Sequence, residues 1–165
     1  MRVVYMGTPE FAVPPLAALA EAGHEIAGVY TQPDRPKGRG HRLVAPPVKQ
    51  LSLELGLPVY QPEGFRDPSV VEALCSLEPE VIVVAAYGRI LPQSVLDIPH
   101  YGCVNIHASL LPRLRGAAPI QWAILRGDTV SGVTTMLMAA GLDTGDILMK
   151  QFTDIDPSED AASLY

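Results

Sequence analysis

The chain has 165 residues, of which 48% are hydrophobic and 18% charged. This composition is typical of a folded globular protein and excludes an intrinsically disordered chain. No apolar run approaches the ~20 residues that a membrane-spanning helix needs, and Gly7 interrupts the first apolar run too early for a secretory signal. We therefore expect one cytoplasmic domain over residues 1–165, without membrane contact.

Short β-branched runs alternate with helical patterns along the chain. The runs predict strands over residues 2–6, 25–31, 59–60, 81–86, 102–106, 130–138 and 146–152. Helices are predicted from the G-T-P-E-F-A turn to about residue 22, within 44–55, over 69–77, shortly after 91 and around 119–126. The alternation predicts the α/β class: a doubly wound, mostly parallel twisted sheet with helices on both faces, whose last two strands are antiparallel at its edge.

The end of the sequence and the two cysteines give two smaller expectations. Asp160 is a good N-cap for a helix over residues 161–165, but so short a helix is marginal, and we expect a polypeptide shortened at its C-terminal end. Cys75 and Cys103 lack metal-ligand spacing, and we expect buried thiols rather than a disulfide.

The net charge of −6 conceals a strong local asymmetry. The basic segment, residues 34–49, carries five Lys and Arg residues against one Asp, a local net charge of +4, so the rest of the chain sums to −10. This distribution argues against a protein that coats nucleic acid with its whole surface. It favours a local contact between the basic segment and an anion.

The strongest candidate site follows the predicted strand 102–106. Asn105 and His107 are two residues apart, so their side chains project to the same side of a strand. An amide donor beside an imidazole suits acyl transfer, because one group stabilises a developing oxyanion and the other handles a proton. Asp143, in G-L-D-T-G-D, could orient the ring or accept a proton from an incoming amine.

Other interpretations of these residues stay open. His107 could be a hydrogen-bonded structural histidine, and Asp143 with Asp146 could shape a hairpin. A metal site of these three side chains matches no familiar ligand spacing, and we expect no metal. The G-T-P-E-F-A turn lacks the G-x-G-x-x-G pattern of dinucleotide binding. From the residues alone we predict an α/β enzyme of acyl or one-carbon transfer.

The segment N-I-H-A-S-L-L-P-R-L-R-G-A-A-P-I, followed by G-L-D-T-G-D, resembles the folate-dependent formyltransferases. Within that superfamily the chain is most similar to the methionyl-tRNA formyltransferase branch. The segments that indicate the branch are G-T-P-E-F-A, T-Q-P-D-R-P-K-G-R-G, A-A-Y-G-R-I-L and R-G-A-A-P-I-Q. The resemblance implies a Rossmann-like fold and a chain that lacks the end of the catalytic domain and the C-terminal β-barrel domain, which binds tRNA.

The resemblance also implies roles for individual residues. Asn105, His107 and Asp143 align with the catalytic trio of the family. The residues implied to bind 10-formyltetrahydrofolate are Ser109, Leu110, Leu111, Pro112, Tyr87, Gly88, Arg89, Ile90 and Leu91. Those implied to bind initiator methionyl-tRNA are Arg35, Lys37, Arg39 and Arg42. Ala139 and Ala140 depart from the family, which often has acidic residues there, but the trio is untouched.

The implied reaction is transfer of the formyl group of 10-formyltetrahydrofolate to the α-amine of methionyl-tRNA, for translation initiation. No metal and no protein nucleophile are needed, because the amine itself attacks. Two alternatives remain: a formyltransferase for a small amine, such as an amino-sugar nucleotide or glycinamide ribonucleotide, and a non-catalytic RNA-binding module. The first would not need the basic segment, and the second would leave the trio without a purpose.

Overall fold

The computed structural model describes residues 1–37 and 42–165. Its internal contacts divide the chain into a first unit, Met1–Cys103, and a second unit, Val104–Tyr165. None of the helices in the described ranges is long and apolar enough to cross a membrane. The single-domain organisation expected from the sequence stays a prediction.

The first unit alternates strands with helices. Its strands are β1 (Arg2–Gly7), β2 (Glu25–Tyr30), β3 (Arg35–Lys37), β4 (Arg42–Val44), β5 (Val59–Tyr60) and β6 (Val81–Ala85). Its helices are α1 (Val13–Glu21), α2 (Pro47–Glu54), α3 (Pro68–Cys75) and α4 (Gln93–Leu96), and a short 3-10 helix over Glu10–Ala12 precedes α1. The antiparallel pair β3 and β4, in the basic segment, is the part of this unit that the sequence did not predict.

Four strands of the first unit run parallel in the order β5-β2-β1-β6. The chain moves outward from β1 through β2 to β5 and then returns to β6, on the other side of β1. Because parallel crossovers are right-handed, this reversal places α1 and α2 on one face of the strands and α3 on the other. The predicted doubly wound α/β class is confirmed.

β1 and β6 form the centre of the core of this unit. All five residues of β6 are buried, as predicted for a strand covered on both faces. Leu16 of α1 and Leu74 of α3 are also completely buried, and each such side chain contributes roughly 1.5–3 kcal/mol of hydrophobic free energy. The carboxyl ends of β1, β2 and β6 lie at one edge, because the strands are parallel.

The second unit is built from antiparallel strands. β7 (Cys103–His107) begins at the last residue of the first unit and is followed by α5 (Pro119–Leu125), β8 (Val130–Leu137) and β9 (Ile147–Asp154). β8 pairs with β7 and with β9 in antiparallel register. The predicted antiparallel arrangement of the last two strands is therefore confirmed.

Two expectations about local structure are wrong. Asp160 accepts hydrogen bonds from the N–H groups of Ala162 and Ser163, at 2.8 and 2.9 Å, but residues 161–163 form a turn and not a helix. A single turn has too few internal hydrogen bonds to continue as a helix. Both cysteines are free, yet Cys75 is exposed while Cys103 is buried. Cys75 lies about 100° around α3 from the buried Leu74.

Candidate active site

β7 presents Asn105 and His107 on the same side of the second unit. The pairing with β8 fixes their positions, since Asn105 lies opposite Met136 and His107 opposite Thr134. The side chain of His107 is 8% exposed. The imidazole is therefore almost enclosed by protein. Asn105, two residues earlier on the same strand, supplies an amide on the same side.

The turn between β8 and β9 brings Asp143 to these two side chains. Asp143 has a φ of 49°, a left-handed conformation that aspartate tolerates better than most residues. Gly145 allows the turn to close, because a Cβ at this position would lie 1.7 Å from the carbonyl oxygen of Leu137. The Asp143 side chain is 10% exposed. Asp143 thus meets His107 and Asn105, the latter 38 residues earlier in the sequence, within the second unit.

The carboxylate of Asp143 accepts one short hydrogen bond and lies at longer distances from two other groups. The N–H of Gly116 donates to Asp143 Oδ2 at 2.8 Å. Asn105 Nδ2 lies 3.5 Å from Asp143 Oδ1, and His107 Nδ1 lies 3.7 Å from Asp143 Oδ2. Direct hydrogen bonds measure about 2.7–3.2 Å, so the amide and the imidazole face the carboxylate without being tightly bound to it.

The other ring nitrogen of His107 is bound to the backbone. Nε2 lies 2.8 Å from the carbonyl oxygen of Leu114, and a carbonyl only accepts, so Nε2 carries a hydrogen and donates it. Leu114 has a φ of 55°, a conformation that costs a non-glycine residue about 1–3 kcal/mol. The surrounding fold sustains this strain, which aims the carbonyl at the ring and turns Nδ1 toward Asp143.

The segment Ser109–Leu110–Leu111–Pro112, implied to bind folate, is fixed by Thr134 of β8. The Thr134 hydroxyl donates to the carbonyl of Ser109 at 2.6 Å and accepts from the N–H of Leu111 at 3.1 Å. The Ser109 hydroxyl donates to the carbonyl of Arg113 at 2.7 Å. Ser109 and Leu111 are buried, so their side chains are packed within the protein, whereas Pro112 is exposed.

The second segment implied to bind folate, Tyr87–Gly88–Arg89–Ile90–Leu91, lies in the first unit. Tyr87 and Leu91 are buried, but Ile90 is 92% exposed. Gly88, Arg89 and Ile90 line a groove of about 1060 Å³, which residues 62–67 also line. Arg66 belongs to the same lining, as do Glu63 and Asp67, so the groove combines apolar surface with two basic and two acidic residues.

Three of the four residues implied to bind tRNA lie in the antiparallel pair of strands β3 and β4, the hairpin of the basic segment. Arg35 and Lys37 belong to β3, Arg42 belongs to β4 opposite Lys37, and Arg39 lies outside the described residues. Arg35 is exposed, and its Nη2 donates to Gln32 Oε1. Lys49, in contrast, donates to Asp34 Oδ2 at 2.7 Å, so this lysine is engaged within the protein.

Several groups of the site were missed by sequence reasoning. The Leu114 carbonyl and the Gly116 N–H are backbone groups, and their direction cannot be predicted from the residue types. Thr134 could have been found as a polar residue on the inner side of an apolar strand. Among the residues that the structure describes, no group of three or more His, Cys, Asp or Glu could hold a metal ion.

Curated proteins of high similarity share one name. The chain is 58% identical over 165 residues to the methionyl-tRNA formyltransferase of Geotalea uraniireducens, covering 100% of this chain and 53% of that protein. It is 54% identical over 166 residues to that of Caldanaerobacter subterraneus subsp. tengcongensis, covering 100% of this chain and 54% of that protein. The chain therefore spans about half the length of the curated relatives it matches.

Solved structures of other formyl-group enzymes share the fold. The phosphoribosylglycinamide formyltransferase of Bacillus halodurans superposes with a TM-score of 0.78 and 25% identity, covering 99% of this chain and 85% of that one. A formyltetrahydrofolate deformylase of Pseudomonas syringae gives a TM-score of 0.76 at 24% identity, covering 99% and 54%. The sequence profile of the family described as Formyl transferase matches residues 1–165. The chain belongs to the formyl transferase family.

Proposed function

We propose that the chain catalyses formylation of methionyl-tRNA in the cytoplasm. The formyl group of 10-formyltetrahydrofolate passes to the free α-amine of initiator methionyl-tRNA, which yields formylmethionyl-tRNA for translation initiation. The observation that carries this proposal is the convergence of Asn105, His107 and Asp143 in a chain that is 58% identical to a methionyl-tRNA formyltransferase. A bond from the formyl carbon to the amine nitrogen forms, the bond from that carbon to N10 breaks, the amine loses a proton, and N10 takes up a proton as tetrahydrofolate leaves.

Asn105 is the proposed donor to the formyl oxygen. Negative charge develops on that oxygen during attack. Asn105 Nδ2 lies 3.5 Å from Asp143 Oδ1, so it can give up this weak contact and form a stronger hydrogen bond to the formyl oxygen. A donor fixed in advance on a strand needs little reorganisation at the moment of reaction. Loss of one such donor typically costs about 10²–10³ in rate, roughly 2.7–4 kcal/mol.

His107 and Asp143 are proposed to handle charge and the proton. The Nε2–H bond to Leu114 sets the plane of the ring and leaves Nδ1 as the nitrogen that faces Asp143. In its protonated form His107 donates from Nδ1 to the formyl oxygen, and Asp143 balances the imidazolium charge. Asp143 also accepts the proton of the attacking amine, a task for a carboxylate that Gly116 already orients.

The co-substrate is proposed to be held by residues 87–91 and 109–112. 10-Formyltetrahydrofolate supplies an activated formyl group and carries aromatic rings and carboxylates. The exposed Ile90 and the guanidinium of Arg89, in the groove that Arg66 also lines, suit such a molecule. The fixation of Ser109 and Leu111 by Thr134 gives the second segment a defined backbone.

The basic segment is proposed to contact the RNA. Arg35, Lys37, Arg39 and Arg42 would meet phosphates, and the pairing of Lys49 with Asp34 removes one positive and one negative charge without changing the local balance. Each phosphate contact steepens the salt dependence of binding by about 0.7–0.9 in log–log slope. A formyltransferase for a small amine has no need of this segment.

A formylation assay with three acceptors tests the proposal. Methionyl-tRNA, glycinamide ribonucleotide and an amino-sugar nucleotide are each supplied with 10-formyltetrahydrofolate. We expect product with methionyl-tRNA and background rates with the two small amines. Glycinamide ribonucleotide is the second candidate acceptor because of the fold shared with the Bacillus halodurans enzyme. RNA binding without any binding of 10-formyltetrahydrofolate would indicate the non-catalytic module instead.

A further inference from the structure

Gln32 connects the basic segment to residues 87–91 within the first unit. Its Nε2 donates to the carbonyl of Tyr87 at 2.9 Å and to that of Gly88 at 3.3 Å. Its Oε1 accepts from Nη2 of Arg35, the first residue of β3. Carbonyls only accept and a guanidinium only donates, so the orientation of this carboxamide is unambiguous.

The backbone of Gln32 is itself anchored on both sides. Its N–H donates to Thr8 Oγ1 at 3.3 Å, and its carbonyl accepts from Gln61 Nε2 at 2.8 Å. The Thr8 hydroxyl in turn donates to the carbonyl of Tyr87 at 3.1 Å. The residues that follow β1, β2 and β6 are thus joined, and Gln32 is the member whose side chain reaches the hairpin.

The absence of a side chain at Gly88 leaves room for the Gln32 carboxamide. A Cβ at residue 88 would lie 2.2 Å from Gln32 Nε2, and the φ of Gly88 is 76°. Glycine adopts that conformation without strain and leaves room for the amide. The two hydrogen bonds from Nε2 therefore tie the Gln32 carboxamide to the backbone that precedes Arg89 and Ile90.

We propose that Gln32 is a positioning residue that couples binding of an RNA phosphate at Arg35 to co-substrate binding at residues 87–91. This inference rests on the proposed function, which assigns a ligand to each place. Arg35 is exposed and uses one of its five N–H donors on Gln32, so the others are available to a phosphate. A phosphate that immobilises Arg35 also immobilises Gln32 and the backbone it holds. Residues 87–91 then lose less conformational freedom when the co-substrate binds.

The coupling is measured with uncharged initiator tRNA, which has no amine to be formylated. The Kd of 10-formyltetrahydrofolate is determined for the chain with and without saturating uncharged tRNA. We expect the tRNA to lower this Kd about fivefold, at the lower end of ordinary coupling between sites. By reciprocity, saturating 10-formyltetrahydrofolate lowers the Kd of the tRNA by the same factor.

Three variants show whether Gln32 carries the coupling. Gln32→Ala removes both ends of the connection, and Gln32→Glu keeps an acceptor for Arg35 but loses the donor to Tyr87 and Gly88. In both variants we expect the Kd of 10-formyltetrahydrofolate without tRNA, divided by its Kd with saturating tRNA, to fall to about one. Gln50→Ala is the matched control, because Gln50 Nε2 donates to the Ala45 carbonyl at 2.7 Å, at the other end of the basic segment. This variant keeps the wild-type ratio.

The ratio is taken within each variant, so a general loss of stability or affinity cancels. A ratio of one in the wild-type chain, or the wild-type ratio in Gln32→Ala or Gln32→Glu, overturns the coupling while the proposed function stands. Failure of the wild-type chain to bind 10-formyltetrahydrofolate at all overturns the proposed function and the coupling together.

Discussion

His107 donates a hydrogen bond from Nε2 to the carbonyl oxygen of Leu114, 2.8 Å away. This bond fixes which nitrogen of the ring remains to meet the carboxylate of Asp143. It also makes the backbone of Leu114, in a left-handed conformation with φ 55°, part of the candidate active site. The orientation of the imidazole is therefore set by the loop after β7 as well as by β7 itself.

The first prediction concerns the amide of Asn105. Asn105→Ala removes the proposed donor to the formyl oxygen, and we expect kcat to fall about 10²–10³-fold. The Kd of 10-formyltetrahydrofolate should stay close to the wild-type value, because the residues proposed to hold it are unchanged. Gln93→Ala removes an exposed amide that donates to Asp97 and serves as the control. Wild-type turnover in Asn105→Ala would exclude Asn105 from the mechanism.

The second prediction concerns the charge of Asp143. Asp143→Asn keeps the shape of the side chain and an oxygen that accepts from the Gly116 N–H, so the chain should fold. We expect kcat to fall about 10²–10⁴-fold, the usual contribution of a general base. Asp146→Asn, three residues further along the same turn and exposed, should retain activity. Equal losses in both variants would indicate an effect of the turn as a whole.

Periodicity was sufficient to predict most of the fold. β1 and β6 are short, mainly apolar runs, β7 is a short β-branched run with polar residues at alternate positions, and these patterns do not depend on distant residues. The hairpin of β3 and β4 was not predicted from the sequence. Its strands, R-P-K and R-L-V, show no regular alternation of apolar and polar residues, and glycine and charged residues lie between them. Its pairing comes from backbone hydrogen bonds between β3 and β4, which composition does not reveal.

The candidate site was predictable only where side chains carry the signal. Asn105 and His107 could be placed on one side of a strand because the strand period is two. The approach of Asp143 depends on the turn between β8 and β9, and Gly145 is a weak sequence indication of it. The direction of the Leu114 carbonyl and the contacts of the Gln32 side chain depend on tertiary packing, so no sequence pattern singles them out.

The third prediction concerns Arg39, which the sequence places in the basic segment. Arg39→Ala should lower kcat/KM for methionyl-tRNA more than kcat/KM for a minimal methionine-derived amine. The reason is that the variant loses a phosphate contact and no group of the trio. The salt dependence of tRNA binding should become shallower by about 0.7–0.9 in log–log slope. Lys150→Ala removes a positive charge from β9 as the control, and equal losses with both acceptors in Arg39→Ala would contradict an RNA contact.

The fourth prediction concerns two buried tyrosines of the first unit. Within the described residues the Tyr30 hydroxyl has no hydrogen-bond partner, and burial raises its pKa. The Tyr5 hydroxyl, in contrast, donates to the Ala12 carbonyl at 2.6 Å. In urea denaturation Tyr30→Phe should raise the free energy of unfolding by about 1 kcal/mol, and Tyr5→Phe should lower it by about 1 kcal/mol. Destabilisation by Tyr30→Phe would mean that its hydroxyl has an ordered partner.

The fifth prediction concerns the ion pair at the base of the hairpin. Hydrogen bonds from Lys49, and then from Gln61, hold the pKa of Asp34 below its usual value. A carboxyl whose pKa is lower in the folded state adds stability above its unfolded pKa of about 3.9, and this stability is lost as the pH falls through the folded value. The difference in unfolding free energy between wild type and Lys49→Met should therefore be constant from neutral pH to about pH 5 and shrink below about pH 4.

Urea denaturation at a series of pH values measures this difference, with Lys150→Met as the matched control on β9. In the control variant the difference from wild type should not follow the titration of Asp34. Asp34→Asn in the Lys49→Met background should remove the remaining dependence on that carboxyl. A difference that grew as the pH fell below about 4 would have the wrong sign for a carboxylate stabilised by a lysine. A difference that stayed constant below about pH 4 would show that Lys49, which lies in α2, contributes by packing and not through its charge.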